Sequence, residues 1–203
     1  MTERPADREQ VWTVLRTLRR TAFLPWSERR FADRDHPLPI GHGQTNSQPS
    51  TVVEMIALLE VVAGAKVLDV GCGSGWTTAI LAALVGSSGR VFGVERIPDL
   101  TARARAAVAG QQLPWAEVHQ APAGVLGLPD EAPFDRILVS AMAGSMPRQL
   151  VDQLASPGVM VIPVGGVMHR VRKRADGTLS DTQHGLYLFV PLITDEDDAW
   201  DQP

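Results

Sequence analysis

Val67-Leu68-Asp69-Val70-Gly71-Cys72-Gly73-Ser74-Gly75-Trp76 is the stretch on which the fold turns. Its first four residues form the short apolar run expected of a buried parallel strand. Three alternating glycines then make a tight turn, and Trp76 to Val85 reads as the helix that follows. Downstream, Val91 to Glu95 is a second strand, with Pro98 early in the next helix, where its missing N–H costs little. Ala116 to His119, Arg136 to Ser140 and Val159 to Pro163 read as further strands, with a helix from Met146 to Ala155. This alternation is the signature of an α/β fold with a doubly wound, mostly parallel sheet. The end differs. His169 to Arg174 and Leu186 to Val190 flank Asp176-Gly177 and predict an antiparallel pair around a turn.

Working toward the N-terminus, Thr51 and Glu54 have capping-box spacing and predict a helix through Val62, ended by Gly64. His36 to Pro49 carries too many Pro and Gly breakers for regular structure, and a connection of that length is often functional. Asp7 to Arg20 places Val11, Val14, Leu15 and Leu18 on one helical face. The expected organisation is one domain over residues 1–203. Residues 1–49 carry the N-terminal helix and active-site loop, 50–193 the Rossmann-like core, and 194–203 an acidic tail expected to be mobile.

The bulk composition excludes several classes. At 203 residues the chain suits one α/β domain, and 44% hydrophobic with 21% charged residues is ordinary for a globular protein. A net charge of −4 lacks the basic excess of a nucleic-acid binder. No apolar run approaches the ~18 residues of a membrane span, and the charged N-terminus is unlike a signal peptide. The expectation is a cytoplasmic monomer with no nucleic-acid or membrane partner. Arg16, Arg19, Arg20, Arg29, Arg30 and Arg34 cluster before the core and are expected on a solvated surface. The five histidines are scattered without ligand spacing, so no metal is expected. Cys72 is expected to be a small filler in the glycine turn.

Glycines at 71, 73 and 75 let a ligand approach bare backbone. The third falls one place too early for the dinucleotide pattern, whose glycines seat a pyrophosphate on a helix N-terminus. Asp69, just before them, suits a ligand with a cationic amino-acid part better than a phosphate. Glu95 lies about 20 residues beyond the turn, the interval at which an acid meets ribose hydroxyls. These features, with a parallel sheet finished by an antiparallel element, point to S-adenosyl-L-methionine and the methyltransferase version of the fold.

Longer strings then resemble one family, the protein-L-isoaspartate O-methyltransferases. Leu38-Pro39-Ile40-Gly41-His42-Gly43-Gln44-Thr45-Asn46-Ser47-Gln48-Pro49 resembles the family's loop. Val94-Glu95-Arg96-Ile97, Pro133-Phe134-Asp135-Arg136-Ile137, Pro163-Val164-Gly165 and Phe189-Val190-Pro191-Leu192 resemble its strand signatures. The resemblance spans roughly Phe23 to Leu192. It implies a seven-stranded, mostly parallel Rossmann-like sheet with an antiparallel C-terminal element. It also implies methyl transfer to the carboxylate of L-isoaspartyl residues in damaged proteins or peptides. Ser47 stands where the family has its active-site serine, with Gln44, Thr45 and Asn46 lining the donor and substrate site. Asp69, Gly71, Gly73, Gly75, Glu95, Arg96, Ala123 and Gly124 would form the donor site. A capping or turn role beside the next helix is the alternative for Ser47.

The departures are specific. Pro122-Ala123-Gly124-Val125-Leu126-Gly127 stands where the family has Gly-Asp-Gly-x-x-Gly, so Ala123 lacks the acid that would hold the adenine amino group. Asn46 replaces an apolar residue and Ser50 an aromatic or His, both expected on the substrate side of the loop. The sequence carries little of the helical segment that commonly precedes this domain. Two alternatives therefore stay open: methylation of an aspartate in one dedicated peptide, and a donor-binding module with reduced or lost catalysis.

Overall fold

Alternation along Lys66–Val70 sends Val67 and Asp69 to one face of the strand, and Leu68 and Val70 to the other. Each face meets its own apolar cluster. A computed structural model describes residues 4–193, so the acidic tail expected over 194–203 lies outside the described residues. The helices are α1 (Arg8–Thr17), α2 (Pro49–Leu59), α3 (Trp76–Val85), α4 (Pro98–Ala109) and a short α5 (Arg148–Asp152). A two-stranded hairpin is made by β1 (Leu38–Gly41) and β2 (Gln44–Asn46). The main sheet contains β3 (Lys66–Val70), β4 (Arg90–Glu95), β5 (Ala116–Gln120), β6 (Phe134–Val139), β7 (Leu154–Val164), β8 (Val167–Lys173) and β9 (Leu179–Leu186).

The seven strands run in the order β5-β4-β3-β6-β7-β8-β9. Strands β3 to β7 pair in parallel, while β8 and β9 are added antiparallel. The order reverses direction at β3, which lies between β4 and β6, so its carboxyl end opens on the crevice where such sheets bind ligands. The glycine turn begins there. One core cluster joins α1, α2, α3 and part of α4 to the sheet face carrying Val67, Val91 and Leu138. The N-terminal helix is thus continuous with the sheet's core through Val11 and Leu15, with Asp7 and Gln10 forming its capping box.

Four local expectations are corrected. The His36–Pro49 stretch is not irregular: Gly41, His42 and Gly43 all have positive φ, and this turn lets β1 and β2 pair. The residues that break other structures make this one. The Thr51–Glu54 capping box does not form, because Pro49 opens α2 two residues earlier and Glu54 is taken by Arg8 at 2.6–2.7 Å. The expected Met146–Ala155 helix shrinks to Arg148–Asp152. Pro147 sits extended at its start, and Leu154 is drawn into β7 opposite Phe134. Finally, the last strand is Leu179–Leu186 rather than Leu186–Val190. Asp176 accepts from Thr178 N–H at 2.9 Å in the turn, and the resulting register pairs Lys173 with Leu179 and Val167 with Leu186.

Candidate active site

Asp69 ends up fully buried beneath the glycine turn, on the strand face that looks at α3. Its Oδ2 accepts from the hydroxyls of Thr77 and Thr78, both at 2.7 Å. Its Oδ1 has no partner among the described residues. Burial pushes its pKa up from 3.8 to about 6, against the pull of the two hydroxyls. An ionised carboxylate with one orphaned oxygen fits a ligand that brings a cation or strong donors, and the α-ammonium of S-adenosyl-L-methionine is such a group.

Glu95 closes the other side. Its Oε2 accepts from Gly73 N–H at 3.0 Å and its Oε1 from Ile97 N–H at 2.8 Å. A carboxylate offers about four acceptor positions, so capacity remains for the paired hydroxyls of a ribose. Gly71 and Gly73 adopt φ of +73° and +54°, a left-handed geometry that favours glycine. Gly75, at φ +83°, has a second role: a Cβ there would meet Val108 Cγ2 at 2.9 Å, so its bare Cα permits α3 and α4 to approach. Cys72 is buried among these groups, and burial raises its thiol well above the ordinary value. That is the setting of an inert filler, not of a nucleophile. Arg96 is exposed beyond β4, and Ala123 and Gly124 form an exposed turn after β5, with Gly124 at φ +77°.

The hairpin covers this turn. Leu38 and Ile40 are its buried apolar residues, and Ile40 Cδ1 lies 3.2 Å from where a Gly73 Cβ would be. Its tip is pinned to α4: His42 Nε2 meets Asp99 at 3.0 Å, while Arg103 meets Asp99 at 3.2 Å and donates to Ile40 O at 2.6 Å. Gln44 and Thr45 follow the tip, with Thr45 exposed and Gln44 half-buried, its amide donating to His42 O at 3.2 Å. Ser47 follows at the hairpin's end, half-buried.

Three placements differ from expectation. Arg20 is not on a solvated surface; it is 5% exposed and bonded to the Ser47 carbonyl at 2.9 Å. Asn46 does not face a substrate either. It is 4% exposed, with Oδ1 accepting from Arg20 at 2.6 Å and Nδ2 donating to Ser74 Oγ at 3.0 Å. Ser50 is spent on neighbours, its N–H on Asp35 at 2.9 Å and its hydroxyl on Gln48 at 2.8 Å. Arg20, Ser74, Thr77 and Thr78 are bonded to candidate site residues and were not picked out by sequence reasoning. Only the helical neighbours Thr77 and Thr78 carried a local signal, as hydroxyls in the first turn after the glycines.

A doubly wound sheet with a covered glycine turn, a buried acid at the end of its first strand and a second acid at the end of the next defines a Rossmann-like methyltransferase. Among the described residues there is no cluster of three metal-ligating side chains and no helix long and apolar enough to cross a membrane. The profile of the protein-L-isoaspartate(D-aspartate) O-methyltransferase family matches residues 2–197, and the chain belongs to that family.

The Aeropyrum pernix protein-L-isoaspartate O-methyltransferase is 43% identical over 188 residues, 91% of this chain and 72% of that protein. The Methanocella arvoryzae protein of the same name is 43% identical over 176 residues, 86% and 93% of the two chains. Among solved structures, a Plasmodium falciparum protein in complex with S-adenosyl-L-homocysteine superposes with a TM-score of 0.76. It is 22% identical, over 91% of this chain and 90% of that one. A protein-L-isoaspartate O-methyltransferase reaches 0.77 at 21% identity, over 93% of this chain and 66% of the longer one. At those identities the likeness is one of fold.

Proposed function

We infer that this protein transfers the methyl group of S-adenosyl-L-methionine to the carboxylate of L-isoaspartyl residues in damaged proteins, acting as a cytoplasmic monomer. The observation that carries the reading beyond family membership is the lid formed over the glycine turn. Asn46 on Ser74 and Ile40 against Gly73 tie the hairpin to that turn, which supports the reading of Ser47, the next residue after Asn46, as part of the site.

The chemistry asks little of the protein in acid–base terms. An acceptor carboxylate is ionised at neutral pH, so no general base has to be supplied. When bound, the donor presents an electrophilic methyl on a sulfonium. The carboxylate oxygen forms the new O–CH₃ bond as the S–CH₃ bond breaks, giving a methyl ester and a neutral thioether. The remaining work is alignment and exclusion of water, positional effects worth several kcal/mol. Asp69 and Glu95 orient the donor, the glycine turn allows close approach, and the hairpin shields the reacting atoms. Ser47 is attached to Arg20 through its carbonyl, which leaves the hydroxyl outside that bond and able to orient one carboxylate oxygen.

The case for a dedicated peptide substrate rested on Asn46 and Ser50, and both are occupied within the protein. The test is transfer of labelled methyl to two peptides differing only in isoaspartate versus aspartate. Base-labile label on the isoaspartyl peptide alone is expected, with S47A lowering kcat at least tenfold while binding S-adenosyl-L-homocysteine as the wild type does. Equal labelling of both peptides, or an S47A enzyme with wild-type kcat, would sink the respective parts of the reading.

A further inference from the structure

Among the described residues no carboxylate is bonded to the buried Arg20, although Asp35 lies close enough to favour its charge. Burial lowers its pKa to about 10, so it stays charged at neutral pH. Six acceptor contacts from two stretches of chain converge on its guanidinium. The carbonyls of Ala32, Arg34 and His36 stand at 3.4, 3.0 and 2.9 Å. Those of Asn46 and Ser47 stand at 3.0 and 2.9 Å, and Asn46 Oδ1 at 2.6 Å. The guanidinium also lies 5.3 Å from the centre of the Trp76 ring. Trp76 opens α3 directly after the glycine turn, and its indole N–H donates to Leu18 O at 3.1 Å.

Desolvating a guanidinium is costly, and the planar fork recovers that cost only where several acceptors are held in place at once. The convergence therefore fixes the loop before the hairpin, the end of the hairpin and the start of α3 as one unit. Asn46 extends that unit in the other direction. Its carbonyl oxygen takes the Arg20 Nε–H and its amide donates to Ser74, in the middle of the donor turn. A hydrocarbon side chain at position 46 could make neither bond. The chain Arg20–Asn46–Ser74 thus runs from the backbone of Ser47 to the loop that would cradle the donor.

We propose that Arg20 and Asn46 are positioning residues that set Ser47 in register with the glycine turn, so that donor occupancy and acceptor placement are coupled. The proposal rests on the reading of Ser47 as the residue that orients the acceptor. A donor that orders the turn at Ser74 orders Asn46, and with it the Ser47 backbone. By thermodynamic reciprocity, an acceptor peptide then tightens the donor by the same factor.

The experiment uses the full chain with two substitutions at one position. N46L keeps the number and branching of side-chain heavy atoms and removes both bonds. N46D keeps the bond from Arg20 and can replace the other by one of reversed direction, the Ser74 hydroxyl donating to the carboxylate. Turnover of an isoaspartyl peptide is measured at saturating S-adenosyl-L-methionine. Peptide affinity is measured by calorimetry with and without S-adenosyl-L-homocysteine. In the wild type S-adenosyl-L-homocysteine tightens the peptide about tenfold, equivalent to ~1.4 kcal/mol. N46L abolishes that factor and lowers kcat about tenfold, with the affinity for S-adenosyl-L-homocysteine in the absence of peptide changed less than threefold. N46D recovers kcat to within threefold of wild type and restores the coupling. A wild type without coupling, an N46L enzyme with wild-type kcat and coupling, or an N46D enzyme as impaired as N46L overturns the proposal. If N46L does not fold, N46D decides between the outcomes. Failure of the parent reading shows elsewhere, in a wild type that does not label the isoaspartyl peptide or in an unimpaired S47A.

Discussion

Replacing Asp69 by Asn tests the idea that the protein keeps a costly charge buried in order to hold its donor. The carboxyl is fully buried and its pKa is raised from 3.8 to about 6. A shift of about two units corresponds to roughly 3 kcal/mol of folding stability. The folded pKa exceeds the unfolded one, so this stability is fully present below about pH 4 and lost as pH rises through 6. D69N cannot ionise and escapes the loss. Its carbonyl can still accept from Thr77 and Thr78, but its NH₂ then occupies the position of the orphaned Oδ1, and an unmade bond there costs ~1–3 kcal/mol. The donor-free variant should therefore match or fall below wild type at pH 4 and gain on it steadily to pH 7, by roughly 3 kcal/mol. Denaturant unfolding across that range reads the difference directly. Calorimetry with S-adenosyl-L-homocysteine reads the other half. Wild-type affinity should rise as pH passes 6, while D69N binds about 10- to 100-fold more weakly with no such rise, as expected for a charge-assisted bond. A stability difference flat with pH, or wild-type donor affinity in D69N, would refute the reasoning.

Ala123→Asp should supply the missing acceptor for the adenine amino group and tighten the donor about fivefold, or ~1 kcal/mol, by calorimetry; no change would mean that another contact already serves. Gly75→Ala puts a Cβ 2.9 Å from Val108 Cγ2 and 3.3 Å from the Ala104 carbonyl, at φ +83°. Strain and overpacking of about 2–5 kcal/mol should lower the melting temperature by roughly 5–15 °C, whereas an unchanged melt would show that α3 and α4 are free to separate.

The legible part of this protein was local. Strands β3 and β4, helix α3 and the start of α4 were readable because their apolar periodicity and their punctuation by glycine and proline agree. The glycine turn and its two acids could be recognised because a bound cosubstrate demands those residue types at that spacing. Where propensity and pairing compete, reading by neighbours failed. Leu186 to Val190 looks like a strand, yet the turn at Asp176 sets a register that has used up the sheet by Leu186. The Pro- and Gly-rich stretch around His42 looked structureless, because a hairpin needs a partner strand that single residues do not announce.

The sequence by itself thus determined the fold class and the family, since each is written in short-range pattern or in strings of contiguous residues. Only the tertiary structure decided the fate of individual polar groups. Nothing near Arg20 in the chain distinguishes it from Arg19, yet one is buried with Asn46 and Ser47 and the other is not. The physical reason is that burying a guanidinium depends on acceptors 12 to 27 residues away converging on one point, and convergence is a property of the folded backbone. Asn46 shows the same thing from the other side. It stood out in the sequence as a substrate-facing change, and the fold turned it inward to tie the end of the hairpin to the glycine turn.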